Sequence, residues 1–165
     1  AIEELAEAVT SYVSRAAEKL RAQHSEAGAV YVMIRTNGFR DDQPQYSNSL
    51  VLGLSEPSAD TRLLARAALH GLRRLYRPGY RYAKAGIMLL ALTPANRHQL
   101  GLFADADRSD RGQRLMAAMD RINRRYGRET VVLAGAGLQR RWAMHQAHRS
   151  PRYTTRWDEL PIARC

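Results

Sequence analysis

The chain has 165 residues, 45% of them hydrophobic, enough to build a core and too many for wholesale disorder. No stretch approaches the roughly 18 uninterrupted apolar residues of a membrane span, and the N-terminal AIEELAEAV is acidic, with no basic leader. The net charge of +10 is unevenly placed: residues 1–59 are slightly acidic in sum, and the cationic excess lies in residues 60–165. That asymmetry favours an anionic partner, nucleic acid foremost, over a merely solvated basic surface.

Of the 26 basic residues only Lys19 and Lys84 are lysines. Guanidinium groups suit bidentate phosphate contacts, although a GC-rich genome produces the same bias. The single cysteine, Cys165, has no disulfide partner and no neighbouring metal ligands, so a cytoplasmic chain is expected.

Apolar residues at Ile2, Leu5, Val9, Tyr12, Val13, Ala16, Ala17 and Leu20 follow the period of an amphipathic helix over 2–22. Residues 29–36 (AVYVMIRT) read as a strand, 37–44 as a polar loop, and 46–54 as a second strand, antiparallel to the first because the connection is too short for a crossover. Glu56 and Pro57 are expected to break the chain, with Ser58 capping a helix over 59–76. Its apolar stripe is Leu63, Leu64, Ala67, Ala68, Gly71, Leu72 and Leu75, and Arg62, Arg66, Arg73, Arg74 and Arg77 lie mostly off it. Residues 82–92 (YAKAGIMLLAL) form a third, largely buried strand.

A linker is expected over 93–110, then a helix over 113–126, a short strand over 130–134, a Gly135-Ala136-Gly137 turn and a helix over 139–149 ended by Pro151. The fold class that follows is α+β: an antiparallel sheet with two helices on one face, the other face free, then a linker and a small α/β domain.

Three stretches carry a resemblance to the C-terminal half of UmuC-type translesion DNA polymerases, the catalytic subunits of bacterial polymerase V: YRYAKAGIML at 80–89, QLGLF at 99–103, and SPRYTTRW at 150–157 followed by Leu160-Pro161. Met119-Asp120 and the Ala134-to-Gly137 turn also sit where that family has similar residues. The resemblance implies a little-finger domain over 1–93, a linker with a sliding-clamp-binding peptide over 94–110, and a small family-specific domain over 111–165. It implies a fourth strand upstream of Ala1, hence a sheet lacking an inner strand. The partners it implies are template–primer duplex and damaged DNA, the sliding clamp, a UmuD-type accessory dimer and a recombinase filament, with no membrane. The carboxylates that hold two metal ions in nucleotidyl transfer would lie in a palm upstream. No cofactor is expected for this part of the protein, no polymerase activity either, and Mg2+ is expected only with the parent polymerase.

In that family the sheet faces the DNA backbone. Alternation places Val30, Val32 and Ile34 toward the helices and Tyr31, Met33 and Arg35 outward. The same rule sends Lys84, Gly86, Met88 and Leu90 outward, and puts Ser47 and Ser49 on one face with Asn48 on the other. Arg35, Thr36, Ser47, Asn48 and Lys84 are therefore the candidate phosphate contacts, which position DNA without reading sequence. Met88 and Leu90 are poor phosphate ligands. Gln99, Leu100, Gly101, Leu102 and Phe103 resemble the clamp-binding peptide, with Leu102 and Phe103 entering an apolar pocket and Gln99 supplying hydrogen bonds. An apolar cluster docked on the chain's own core is the plainer alternative for them.

The Gly135-Ala136-Gly137 turn is similar to a phosphate-binding turn, but Arg140 ends the glycine pattern. His145 and His148 have no acidic or thiol ligand within the next turn and read as surface histidines. Three other readings stay open: an enzyme using His145, Arg152 and Tyr153, a basic protein-interaction module, and a free-standing nucleic-acid-binding domain outside any polymerase. Arg140, Arg141, Arg149, Arg152 and Arg156 suit single-stranded DNA as well as protein.

Overall fold

A computed structural model of the chain describes residues 2–95, 106–138, 142 and 150–160. Among the described residues three helices and three strands follow in the order α1 (Ile2–Ala22), β1 (Ser25–Thr36), β2 (Ser47–Ser58), α2 (Thr61–Leu75), β3 (Tyr82–Pro94) and α3 (Ala106–Tyr126), with 3-10 turns at Ala134–Ala136 and Trp157–Glu159. The architecture is the expected α+β one.

Helix α1 carries Glu3 and Glu4 in its first turn and Lys19 and Arg21 in its last, the arrangement that complements the helix dipole. It ends at Ala22, and the turn residue His24, with a φ of 53°, leads the chain into β1. In β1, Val30, Val32 and Ile34 are fully buried against Val9, Val13, Ala17, Leu64, Ala68 and Leu72 of the helices. Strand β1 is the centre of the sheet: the order is β2-β1-β3, all antiparallel. The described strands are hydrogen-bonded without a gap, so among the described residues the expected vacancy of an inner strand is absent and β2 and β3 form the edges.

Helix α2 approaches the sheet at Gly71, where an added Cβ would lie 2.5 Å from Leu52 Cδ1 and 3.4 Å from Val32 Cγ2. A Cβ there would have to push the end of the Leu52 side chain aside, so glycine suits that spacing. In the β1–β2 loop, Gln45 Nε2 donates to the carbonyls of Asn37, Arg40 and Gln43 while its Oε1 accepts from Thr36. One side chain thus satisfies backbone groups that the sheet leaves without partners.

The boundaries differ from the sequence expectations for identifiable reasons. Strand β2 runs through Pro57 to Ser58, because an edge strand tolerates a residue without an N–H. The cap of α2 is Asp60, whose Oδ1 accepts the Arg62 N–H at 2.8 Å, and Ser58 Oγ instead accepts the Asp60 N–H. Helix α3 begins at Ala106, ahead of the expected 113. Gly112, a poor helix former, lets it lie close to Asp60 and Arg62, where a Cβ would come within 3.0 Å of Asp60 Oδ2.

The strand expected over 130–134 does not form. Asn123 Oδ1 accepts the Val131 N–H and Asn123 Nδ2 donates to the Val131 carbonyl, so a side chain takes both backbone groups that a neighbouring strand would have used. The helix expected over 139–149, with His145 and His148, lies outside the described residues apart from Trp142, which sits in a turn and packs edge-on against Tyr12 at 5.5 Å.

Further contacts among the described residues join the later part of the chain to the earlier. The Arg21 guanidinium grips Asp120 with Nε and Nη2, both at 2.7 Å, and its Nη1 donates to the Ala59 carbonyl and to Thr61 Oγ1 at 2.8 Å each. The Ala134–Ala136 turn lies along α1, with Gly135 beside Thr10 and Gly137 beside the Glu7 carboxylate. That carboxylate disfavours a bound phosphate, and the glycines serve close packing.

Candidate nucleic-acid interface

The pleat of the three strands sends alternate residues to the face away from α1 and α2. The register sets Arg35 directly between Ser47 on β2 and Lys84 on β3, so these three form one polar row across the sheet, and all are exposed. The next row is Ser49, Met33 and Gly86, and the one after is Val51, Tyr31 and Met88. Val51 and Met88 are each 54% exposed, so the face grades from polar at the Arg35 end to apolar at the other. Met33 lies over Gly86, leaving a Cβ there only 3.3 Å from its side chain.

Two candidates fall outside that row. Asn48 pairs with the inward-facing Ile34 and points to the helix side, where its Nδ2 donates to the Tyr46 hydroxyl. Thr36 is 7% exposed, and its hydroxyl is held by Gln45 Oε1 and the Tyr46 N–H. The residues Gln99, Leu100, Gly101, Leu102 and Phe103 lie outside the described residues.

Behind the polar row stands a cluster of tyrosines that sequence reading did not single out. Tyr46, Tyr76, Tyr80 and Tyr82 pack with centroids 5.0–6.4 Å apart, and the Arg77 guanidinium sits 5.2 Å from the Tyr46 ring centre. Tyr46 donates to the Leu75 carbonyl at the end of α2, and the Tyr82 hydroxyl donates to the Arg77 carbonyl while accepting the Arg77 N–H. Burial raises the Tyr82 phenol pKa above its ordinary value, so the ring stays neutral. The cluster ties the end of α2 to β3 and fixes the strand from which Lys84 projects. The close spacing of Tyr76, Tyr80 and Tyr82 around Pro78-Gly79 was the available sequence signal; Tyr46 is too distant in sequence for local patterning to reveal it.

At the other end of α2, burial opposes ionisation of Asp60, but the hydrogen bonds and charge of Arg62 and the Leu63 N–H outweigh it and hold the carboxyl below its ordinary range. No group of three or more His, Cys, Asp or Glu side chains is placed to hold a metal ion among the described residues. No helix among them is long and apolar enough to cross a membrane.

The C-terminal segment folds on itself. The Glu159 carboxylate accepts from the Arg152 backbone and faces the Arg152 and Arg156 guanidinium groups, and Asp158 pairs with Arg156 at 2.9 Å. Two of its arginines are thus partly neutralised, while Trp157 beside them is 89% exposed.

Comparison with known proteins matches residues 1–102 to the impB/mucB/samB family C-terminal domain and residues 113–163 to a domain of unknown function, DUF4113. The protein UmuC of Salmonella typhimurium (strain LT2) is 39% identical over 158 residues, covering 96% of this chain and 37% of that protein. The protein ImpB of Salmonella typhimurium gives the same identity and coverage, and the protein MucB of Escherichia coli is 38% identical over 160 residues, covering 97% of this chain and 37% of its own length. The chain therefore spans a little over a third of the length of these relatives.

Proposed function

The chain belongs to the impB/mucB/samB C-terminal domain family, and from that premise we propose that it is the DNA-gripping and clamp-tethering part of a UmuC-type translesion polymerase. Residues 1–93 act as the little finger, residues 94–110 carry the tether, and residues 111–165 form the family-specific terminal domain. The observation that carries the DNA reading is the row Ser47–Arg35–Lys84 on a sheet face that no described helix covers. Arg35 and Lys84 contribute charge, and the serine hydroxyl and neighbouring backbone amides contribute neutral donors. Such contacts are blind to base identity, which suits an enzyme that must pass damaged template. Chemistry belongs to the parent protein, whose palm would hold Mg2+.

The tether reading rests on sequence alone. Leu102 and Phe103 entering an apolar notch supply roughly 1.5–3 kcal/mol each, and Gly101 adds an ordering cost. A weak contact of this size is effective because DNA and clamp are held at once, which makes the second binding event intramolecular.

The grip is tested by fluorescence anisotropy of a labelled primer–template duplex against salt. Log affinity falls with log salt at about 0.9 per phosphate neutralised, and the Arg35→Ala, Lys84→Ala double variant lowers that slope by about 2. An unchanged slope refutes the sheet as the DNA surface. For the tether, the Leu102→Ala, Phe103→Ala double variant abolishes pull-down by the bacterial sliding clamp and leaves duplex affinity intact; clamp capture that survives both substitutions refutes it.

A further inference from the structure

The sheet face carries two cations in its polar row, whereas α2, on the opposite side of the domain, carries more. Arg62, Arg66, His70 and Arg73 follow at steps of four, four and three, which keeps them on one side of a helix with 3.6 residues per turn. All four are exposed, Arg74 flanks them, and Arg77 continues the line just past the helix end. Helix α2 contains no acidic residue; Asp60 at its cap is paired with Arg62 at 2.6 Å. The row from Arg62 to Arg73 runs about 16 Å, with successive positions about 4.5–6 Å apart along the axis.

We propose that this stripe is a second phosphate-backbone site, separate from the sheet face, and that its ligand is single-stranded nucleic acid. Charge complementarity selects a polyanion. A protein partner is disfavoured because a protein interface is organised around buried aromatic or aliphatic anchors and loses charge at its centre. Among the described residues of α2, Leu63 is the one exposed large hydrophobic beside the stripe, at 41%, while Leu69 packs partly buried against the core. Within α2 the cations form one row on a convex surface, which follows a single backbone. Its spacing exceeds the roughly 3.4 Å per charge of one strand of stacked B-form DNA, as an unstacked, lengthened strand requires. The choice of single strand over duplex rests in part on the sheet reading, since a duplex seated on the sheet leaves only a strand beyond it to reach α2.

The experiment uses the full chain, a labelled oligothymidylate and a labelled duplex, with affinity measured across a salt series. The stripe variant is Arg66→Gln, Arg73→Gln, Arg74→Gln. The control is Arg114→Gln, Arg121→Gln, Arg124→Gln on exposed positions of α3, which changes the net charge equally. Glutamine is a good helix former, so both variants keep their helices, and circular dichroism verifies it. The stripe variant lowers the oligothymidylate salt slope by about 2, from about 0.7 per phosphate, and the control lowers it by less than half as much. Equal losses in the two variants mean that only net charge matters and overturn the proposal, as does an unchanged slope in the stripe variant. A larger loss on duplex than on oligothymidylate overturns the assignment to single strands. Failure of the sheet reading registers separately, as an Arg35→Ala, Lys84→Ala variant that still grips duplex.

Discussion

Replacing Arg21 by methionine removes the guanidinium that joins α3 to the end of α1. Both partners of the Arg21–Asp120 pair are largely shielded, with side chains 14% and 11% exposed, and the contact is bidentate. Breaking a buried pair by removing one partner costs about 3–5 kcal/mol; the residual solvent access places this one near the lower end, about 3 kcal/mol. Arg21→Met also leaves the Ala59 carbonyl and the Thr61 hydroxyl without their donor, whereas Asp120→Leu leaves Arg21 two of its four hydrogen bonds. The arginine variant is therefore the less stable of the two. The double variant Arg21→Met, Asp120→Leu recovers all but about 1 kcal/mol, because no uncompensated charge remains. Urea unfolding of the four proteins closes a double-mutant cycle, and amide hydrogen exchange in α3 locates the loss. A coupling energy below about 0.5 kcal/mol would falsify the claim that this contact holds α3 in place.

Two further perturbations test the packing around α2. Asp60→Ala removes the cap and lowers stability by about 1 kcal/mol at neutral pH in chemical denaturation. Because the folded carboxyl titrates below its ordinary value of 3.8, its contribution is present above that value and is lost as pH falls through the lower folded one; the difference between wild type and variant therefore shrinks only in strong acid, and a difference already gone at pH 6 contradicts the cap. Gly71→Ala displaces the Leu52 methyl but gains helix propensity, so its thermal stability changes by no more than about 1 kcal/mol. Gly71→Val forces added methyls against Val32 and Leu52 and loses about 2–3 kcal/mol; equal stability of the two variants rules out the close approach of α2 to the sheet.

The part of the fold that sequence resolves is the part set by period. Alternation over 30–35 and 84–90 places every outward side chain correctly, because a one-residue slip would put Val30, Val32 and Ile34 into water. The helical period likewise locates α1 and the buried side of α2. What it leaves hidden depends on partners distant along the chain. Asn123 satisfying Val131 removes an expected strand, Gln45 closes a loop that reads only as polar, and Arg21 meets Asp120 across 99 positions. The site divides the same way. Arg35, Ser47 and Lys84 converge because strand register brings them together, while Asn48 and Thr36, which alternation already sets on the helix side, bond to Tyr46 and Gln45, partners that no local pattern announces. The arginines of α2 were visible in the sequence as residues off the apolar stripe, but their exposure as one row becomes evident only once the helix is seated.

The attachment of α3 has a mechanical consequence for how the later part of the chain is held. Strand β3 is fastened at its end by the Ala95 N–H, which donates to the His24 carbonyl just past α1, and α3 is fastened to the last turn of the same α1 by the Arg21–Asp120 pair. Both elements are thus moored to one helix, by different means. A load that pulls on β3 meets a whole β-ladder, whereas a load on α3 meets an ion pair. Severing that second mooring would leave the sheet to bear the whole pull.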